Sequence, residues 1–306
     1  MKPMLTQRKI LATIAVVCGL FAIAPAQPRD MAPDSTHNVT PMMSLSSYHL
    51  PDSLDFCGEH VPLEQPHVRE QAERELYLML QDQGQLIINI KRSGIFFPIF
   101  DSIARADSVP DDLKYIAVIE SALRNARSPK DAFGIWQFIE STGKKMGLEI
   151  NKDVDERLNV EKATHAAFMY LQEGFGTFRS WTMAAAGYNM GHEFLAEQAL
   201  YQRDTDFYHL YLNEETSRYV FRIAVMKEIM QHPERYGIFL TPADMYAHDS
   251  VRTVAVNSSI SDLEGWAVQN GTTYKWVKIF NPWILNRNLP IPRGEQYIIK
   301  IPVFNN

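Results

Sequence analysis

A carboxylic acid, Glu120, lies where the sequence predicts an apolar helix. Leu113, Ile116 and Ala117 form an apolar stripe at helical spacing, and Glu120 is the next position on that stripe. A carboxyl group that is buried without a cation has a raised pKa and can donate a proton near neutral pH. Glu120 is therefore a candidate general acid. The alternative is that Glu120 faces solvent or pairs with Arg124, four residues later.

The helix that must position this acid has a predicted start. The run Ser108-Val109-Pro110-Asp111 has the pattern of a capping box. Proline is tolerated in the first turn of a helix, because the N–H that it lacks has no partner there. We therefore expect the helix of Glu120 to begin near Asp111.

Amide and aromatic residues accompany this acid. Sugars offer hydroxyls to amides and apolar ring faces to aromatic side chains, so the combination suits a polysaccharide. Four candidate sugar-binding residues are Gln137, Tyr188, Asn189 and Tyr219. Each also has a purely structural interpretation: Tyr188 can pack between helices, and Asn189 can cap a helix before Gly191. Trp136 and Phe138 are residues that more often belong to a core than to a cleft.

Several other chemistries lack their sequence patterns. The chain has no HExxH or CxxC motif, no G-x-S-x-G elbow and no glycine-rich phosphate loop, and its nine histidines show no metal-ligand spacing. The sequence therefore predicts no metal and no cofactor. The net charge of −6, without a dominant basic cluster, argues against nucleic acid as a partner.

Five short segments stand in a fixed order along the chain: Glu120-Ser121, Ala126-Arg127-Ser128, Gly134-Ile135-Trp136-Gln137-Phe138, Thr142-Gly143 and Gly147-Leu148. This order resembles the signature of soluble-lytic-transglycosylase-type domains, and within them the group of membrane-bound lytic murein transglycosylase D. Ala186-Gly187-Tyr188-Asn189-Met190-Gly191 resembles that family's A-Y-N-x-G motif, with Gly187 where the family usually has alanine. Glu215-Thr216 and Tyr219-Val220 resemble its E-T-x-x-Y-V motif.

The resemblance implies a lysozyme-like fold and cleavage of the β-1,4 bond between N-acetylmuramic acid and N-acetylglucosamine. Glu120 matches the single catalytic acid/base. The resemblance implies a role in the substrate cleft for seven further residues: Ser121, Trp136, Gln137, Tyr188, Asn189, Glu215 and Tyr219. Intramolecular attack by the sugar's 6-hydroxyl would give a 1,6-anhydro product. If Glu215 acts as a second carboxylate, a hydrolytic muramidase of the goose-lysozyme type becomes the alternative. A non-catalytic peptidoglycan-binding or assembly protein is the alternative of another class.

The N-terminus has the pattern of a targeting segment. Lys2, Arg8 and Lys9 precede an apolar run that ends in the A-x-A pattern of residues 24–26, so residues 1–26 are predicted to be a signal peptide. The run has about 15 residues, fewer than the roughly 20 that span a bilayer, which disfavours an uncleaved anchor. Cys18 inside it offers lipid attachment as another alternative. The expected location is the periplasm or cell envelope.

The remaining chain divides into three predicted parts. Residues 27–67 are rich in Pro, Ser and Asp without periodicity and indicate a flexible tether. Residues 68–238 show about eight helical patterns and predict an all-α domain. Residues 250–303 predict a small βααβ unit that resembles a degenerate LysM module, a type that binds N-acetylglucosamine chains. The predicted fold class is mainly α, with a lysozyme-like helical domain and this C-terminal unit.

Overall fold

The computed structural model describes residues 48–247 and 250–303. The predicted signal peptide, Cys18 and residues 27–47 of the predicted tether lie outside this part. Ten α-helices occur in the described residues: α1 Pro66–Gln81, α2 Gln83–Asp107, α3 Lys114–Ser121, α4 Glu140–Lys145, α5 Val160–Phe178, α6 Trp181–Met190, α7 His192–Gln202, α8 Glu214–Gln231, α9 Leu263–Gln269 and α10 Tyr274–Phe280. Six strands form three antiparallel pairs: β1 Leu54–Phe56 with β2 Glu59–Val61, β3 Ala126–Arg127 with β4 Phe133–Gly134, and β5 Val251–Val256 with β6 Tyr297–Pro302. The prediction of a mainly α fold is confirmed.

Helix α8 is the centre of the helical domain. It packs against α1, α3 and α6, and it is buried on nearly all sides along its middle turns. Even Lys227 on this helix is buried, because its ammonium group donates to carboxylates of Asp55 and Asp112, each at 2.7 Å. A charge inside a core needs such partners. Helix α8 therefore forms a fixed base for the side chains that it presents.

Residues 48–67 belong to the helical domain, so the prediction of a tether is wrong for this part of the chain. Phe56 and Val61 of the β1–β2 hairpin are completely buried in the main core. Glu59 also caps helix α6: its carboxylate accepts hydrogen bonds from the backbone N–H groups of Trp181 and Thr182. A carboxylate at a helix N-terminus satisfies unpaired donors and interacts favourably with the helix dipole. The hairpin is too short to show a periodic pattern, which explains the error.

The capping box predicted before the Glu120 helix does not form, although the helical turn that leads into this helix begins at Asp111 as predicted. Helix α2 continues through Pro98 to Asp107, and Ser108 ends it in the left-handed conformation, with φ of 57°. A short 3-10 turn, Asp111–Leu113, then leads into α3 without a side-chain cap. Ser108 therefore terminates the preceding helix, and the apparent capping box is a coincidence of spacing.

The C-terminal residues form the predicted βααβ arrangement around a second apolar core. Strands β5 and β6 pair along their whole length, from Val251 with Pro302 to Val256 with Tyr297. Helices α9 and α10 lie between these strands in the sequence, and Leu263 and Val277 from them are completely buried. Within the described residues, no helix has both the length and the apolar character needed to cross a membrane.

Candidate active site

Glu120 occupies the last turn of α3, at the point where the helix stops. The helix ends because Ala122 and Leu123 both adopt left-handed backbone conformations, with φ of 54° and 56°. Burial raises the pKa of the Glu120 carboxyl to about 7. A hydrogen bond from Tyr219 and the charge of Arg222 oppose this rise, whereas the charge of Glu215 adds to it. Glu120 can therefore hold a proton near neutral pH.

Tyr219 approaches Glu120 from the buried helix α8. Its hydroxyl donates a hydrogen bond to Oε1 of Glu120, and its side chain is only 1% exposed. The sequence predicted that Tyr219 faces the cleft, but Glu120 lies between Tyr219 and the open space of the cleft. The Tyr219 hydroxyl therefore contacts the carboxylate of Glu120 and does not reach that open space.

The cleft has two lobes that meet at Glu120. One lobe has a volume of about 930 Å³ and the other a volume of about 560 Å³, and Glu120, Gln137 and Glu215 line both. The larger lobe is charged, with four arginines in its lining: Arg124, Arg127, Arg218 and Arg222. The smaller lobe is aromatic, with Phe138, Tyr170, Tyr188 and Phe194. A chain-like ligand that crosses the cleft would pass the carboxyl group of Glu120.

The loop after α3 carries Gln137 into the cleft. Gln137 has a left-handed backbone, with φ of 52°, and its amide nitrogen donates to the carbonyl oxygens of Ala126 and Gly134 at 3.0 and 2.6 Å. Ser121 ties this loop to α3, because its hydroxyl donates to the carbonyl oxygen of Ile135 at 2.8 Å. Ser121 is buried and its hydroxyl bonds within the protein, so the geometry gives it a positioning contact.

Trp136 does not line the cleft, contrary to the sequence-based expectation. Its side chain is completely buried, its indole N–H donates to Thr164 at 2.9 Å, and its ring packs against Phe100 and Phe168. The structural interpretation of this aromatic is therefore the correct one. Its backbone still contributes near the cleft, since the carbonyl oxygen of Trp136 accepts a hydrogen bond from the Tyr188 hydroxyl at 2.7 Å.

Asn189, Thr216 and Glu215 connect the ends of α6 and α8 beside the cleft. The Asn189 amide oxygen accepts from the Thr216 hydroxyl at 2.8 Å, and the amide nitrogen donates to Glu215 at 3.4 Å. Glu215 also lies 3.4 Å from the ammonium group of Lys130. Its side chain is 60% exposed. This carboxylate is therefore solvated, in contrast to that of Glu120.

Two arginines that line the larger lobe, Arg222 and Arg218, were not predicted from the sequence motifs. Arg222 lines the larger lobe and lowers the pKa of Glu120 by its charge. It follows Tyr219 by three residues on α8, and this helical spacing is a signal that could have found it. Arg218 also lines this lobe, and its guanidinium binds Glu75 through two hydrogen bonds of 2.6 and 3.1 Å. That long-range pair leaves no local signal in the sequence.

No group of His, Cys, Asp and Glu that could hold a metal ion occurs in residues 48–247 and 250–303. What this site offers instead is a proton donor, a neighbouring solvated carboxylate and a cleft open on both sides of the acid. This arrangement can protonate a leaving oxygen of an extended substrate.

Comparisons with known families agree with the order of the motifs. Residues 98–211 match the family described as transglycosylase SLT domain, and residues 252–305 match the soluble lytic transglycosylase C-terminal LysM-like domain. Two curated relatives are the membrane-bound lytic murein transglycosylase D of Escherichia coli strain K12 and that of Escherichia coli O6:H1. Each is 28% identical over 260 residues, which cover 81% of this chain and 55% of the relative. The chain thus spans about half the length of the curated relatives it matches.

Proposed function

Because the chain carries a transglycosylase SLT domain followed by a LysM-like domain of the soluble lytic transglycosylases, we propose that it is a peptidoglycan lytic transglycosylase. It cleaves the β-1,4 bond between N-acetylmuramic acid and N-acetylglucosamine. The observation that carries the proposal is the state of Glu120, a carboxyl group with a pKa of about 7 at the junction of two cleft lobes.

The reaction needs one carboxyl group that acts twice. Protonated Glu120 donates its proton to the glycosidic oxygen, and the C–O bond to the anomeric carbon breaks. The neighbouring N-acetyl group stabilises the positive charge that develops at this carbon. Glu120, now a carboxylate, accepts the proton of the sugar's own 6-hydroxyl, whose oxygen forms the new bond. The product is a 1,6-anhydro ring, Glu120 regains its proton, and no water is consumed.

The other residues of the site orient the acid and bind the sugars. Tyr219 orients the carboxyl group of Glu120 and stabilises its charged form. Gln137, Tyr188 and Asn189 bind the sugars on either side of the bond that breaks. Intramolecular attack by the 6-hydroxyl gains from proximity, provided that these contacts hold the ring in place.

Glu215 is the residue on which the hydrolytic alternative depends. Its exposed carboxylate lines both lobes and could activate a water molecule. We favour the non-hydrolytic reaction, because Glu215 already interacts with Lys130 and Asn189 and needs no role beyond the electrostatic one.

Digestion of purified peptidoglycan, with mass spectrometry of the products, tests the proposal. We expect 1,6-anhydro-muropeptides from the wild type and none from Glu120→Gln. Glu140→Gln is the matched control, because Glu140 is an exposed glutamate on α4 outside the cleft and should leave the product yield unchanged. Products with free reducing ends would instead indicate a hydrolase. Binding of glycan without any product release would indicate the non-catalytic alternative.

The proposed place of action is the cell envelope, outside the cytoplasm. The substrate, the glycan strand of peptidoglycan, is found there, and the pattern of residues 1–26 predicts export. The proposal involves no cofactor and no nucleic acid. Cleavage at this site would serve remodelling or turnover of the cell wall.

A further inference from the structure

The segment between α4 and α5, residues 149–158, reaches into the C-terminal unit. Val154 from this segment is 1% exposed and belongs to the apolar core of that unit. It forms a β-bridge with Ile284, and the N–H of Asp155 donates to the carbonyl oxygen of Trp283 at 3.0 Å. A side chain of the helical domain thus completes the core of the C-terminal unit.

Polar contacts surround this buried junction. The N–H of Leu285 donates to the carbonyl oxygen of Asp153 at 2.9 Å, and the Asn286 amide donates to the Asp153 carboxylate at 2.8 Å. The Tyr297 hydroxyl donates to Glu149 at 2.7 Å. With backbone, amide and hydroxyl contacts together, the C-terminal unit holds the segment along much of its length.

On its other side, the same segment holds the cleft loop, defined here as residues 133–138. Arg157 is buried and pairs with Asp155 through two hydrogen bonds of 2.7 and 2.9 Å. Its remaining nitrogen donates to the carbonyl oxygen of Phe138 at 3.2 Å, and its guanidinium lies 4.4 Å from the centre of the Phe133 ring. A planar guanidinium with this set of partners fixes geometry as well as charge.

Gly134 shows how closely the cleft loop lies on this segment. A Cβ atom at Gly134 would lie only 1.9 Å from the carbonyl oxygen of Arg157, and the backbone there has φ of +84°. Both facts require glycine. The loop that rests on Arg157 also carries Gln137, which lines the cleft beside Glu120.

We propose that the LysM-like unit holds the cleft loop in its active position through residues 149–158, with Arg157 as the positioning residue. The unit is then a structural part of the active site and not only an arm that binds glycan. This inference rests on the proposed function for its kinetic consequences, but its structural consequence stands alone. Precise support of residues around a reacting bond affects the rate more than the binding of the substrate.

Two substitutions at the junction test the inference in the full chain. Val154→Ala removes apolar contacts from the C-terminal core, and Asn286→Ala removes the polar contact to Asp153. We expect amide hydrogen exchange in the cleft loop to become about tenfold faster in both variants. With a short soluble glycan fragment, too small to reach the C-terminal unit, kcat should fall by about fivefold and KM should change by less than about twofold.

The matched control is Arg252→Ala. Arg252 donates to the carbonyl oxygen of Asn270, a contact entirely within the C-terminal unit. This variant should change neither exchange in the cleft loop nor kcat. Arg157→Lys should reduce kcat as well, because lysine cannot bind Asp155 and Phe138 at the same time, and its effect should combine with that of Val154→Ala less than additively.

Unchanged exchange in the cleft loop, with faster exchange only in residues 281–286, would overturn the inference. A loss of activity on polymeric peptidoglycan but not on the short fragment would also overturn it, because the unit would then act only as a binding arm. If the wild type releases no glycan product at all, the proposed function fails, whereas the exchange measurement still decides whether the C-terminal unit supports the loop.

Discussion

The hydroxyl of Tyr219 donates a hydrogen bond to Oε1 of Glu120, and this contact joins the second turn of α8 to the end of α3. The two residues are far apart in the chain, yet the buried helix brings a neutral donor directly onto the acid. Burial raises the pKa of Glu120, and the tyrosine partly offsets that rise by stabilising the carboxylate. Together with the charges of Arg222 and Glu215, these two effects set the pH range in which Glu120 is protonated.

The first prediction concerns Tyr219→Phe. Loss of the hydroxyl removes a contact that lowers the pKa of Glu120, so this pKa should rise above about 7. A general acid loses activity as pH rises through its pKa, so the alkaline limb of kcat/KM should move to higher pH while kcat falls. Tyr236→Phe is the control, since Tyr236 contacts Glu228, away from the cleft, at 3.3 Å. An alkaline limb that stays in place would contradict this assignment.

The second prediction concerns the exposed carboxylate. The charge of Glu215 raises the pKa of Glu120, so Glu215→Gln should lower that pKa and move the alkaline limb to lower pH. The anhydro product should still form. Glu214→Gln neutralises the adjacent glutamate, which is 74% exposed and should leave the limb unchanged. Complete loss of activity in Glu215→Gln would show that this carboxylate takes part in the chemistry.

The third prediction links the acid to stability. The pKa of Glu120 is raised from its ordinary value of 4.5 to about 7 in the folded protein, so the folded state binds the proton more tightly than the unfolded chain. Below pH 4.5 this carboxyl carries no penalty, and the penalty grows as pH rises and is complete above pH 7. Glu120→Gln should therefore be more stable than the wild type at pH 8, by an amount on the order of 3 kcal/mol.

Urea unfolding at pH 4 and pH 8 measures this difference. At pH 4 the two proteins should unfold at nearly the same urea concentration, because Glu120 of the wild type is then mostly protonated in the folded and in the unfolded state alike. Equal stability at pH 8 would mean that the folded protein does not disfavour the charged carboxylate. A gain in stability at pH 8 would also show that the catalytic acid destabilises the fold, since the substitution that stabilises the protein removes this acid.

The fourth prediction concerns Gly187, which stands where related motifs usually have alanine. A Cβ atom at Gly187 would lie 2.3 Å from Cδ2 of His192, so Gly187→Ala should destabilise the protein by about 1–3 kcal/mol. His192→Ala should remove most of this penalty in the double variant. Gly176→Ala on α5 is the control, because its Cβ would meet nothing within 4 Å and alanine favours helix. Thermal unfolding of the four variants tests the pair, and a penalty that persists without His192 would refute the steric explanation.

The periodicity of apolar residues predicted the helices and strands that bury one face regularly. The apolar stripe before Glu120 and the two alternating C-terminal strands are visible in the sequence, because burial of one face places apolar residues at regular intervals along the chain. The ordered motifs also identified Tyr219 and Asn189 as residues near the acid. In the structure the Tyr219 hydroxyl contacts Glu120 from behind the cleft, and Asn189 contacts Thr216 and Glu215 beside it.

Long-range packing decided the features that the sequence left ambiguous. Trp136 stands between Ile135 and Gln137 in a loop, and its ring packs inward against Phe100 on α2 and Phe168 on α5. Ser108 has a residue type suited to starting a helix, yet the continuation of α2 makes it the end of one. The contact of Arg157 with Phe138 joins distant residues and has no counterpart in any local motif.

The carboxylate of Glu59 on the amino end of α6 has a practical consequence for dissecting this protein. The matched transglycosylase region ends at residue 211 and begins at residue 98. A fragment cut at these limits would leave the first amides of α6 without their acceptor and would lose α8 with its tyrosine. The smallest piece that can be expected to fold and bind therefore begins before the β1–β2 hairpin, and sequence-family limits should not guide where the gene is cut.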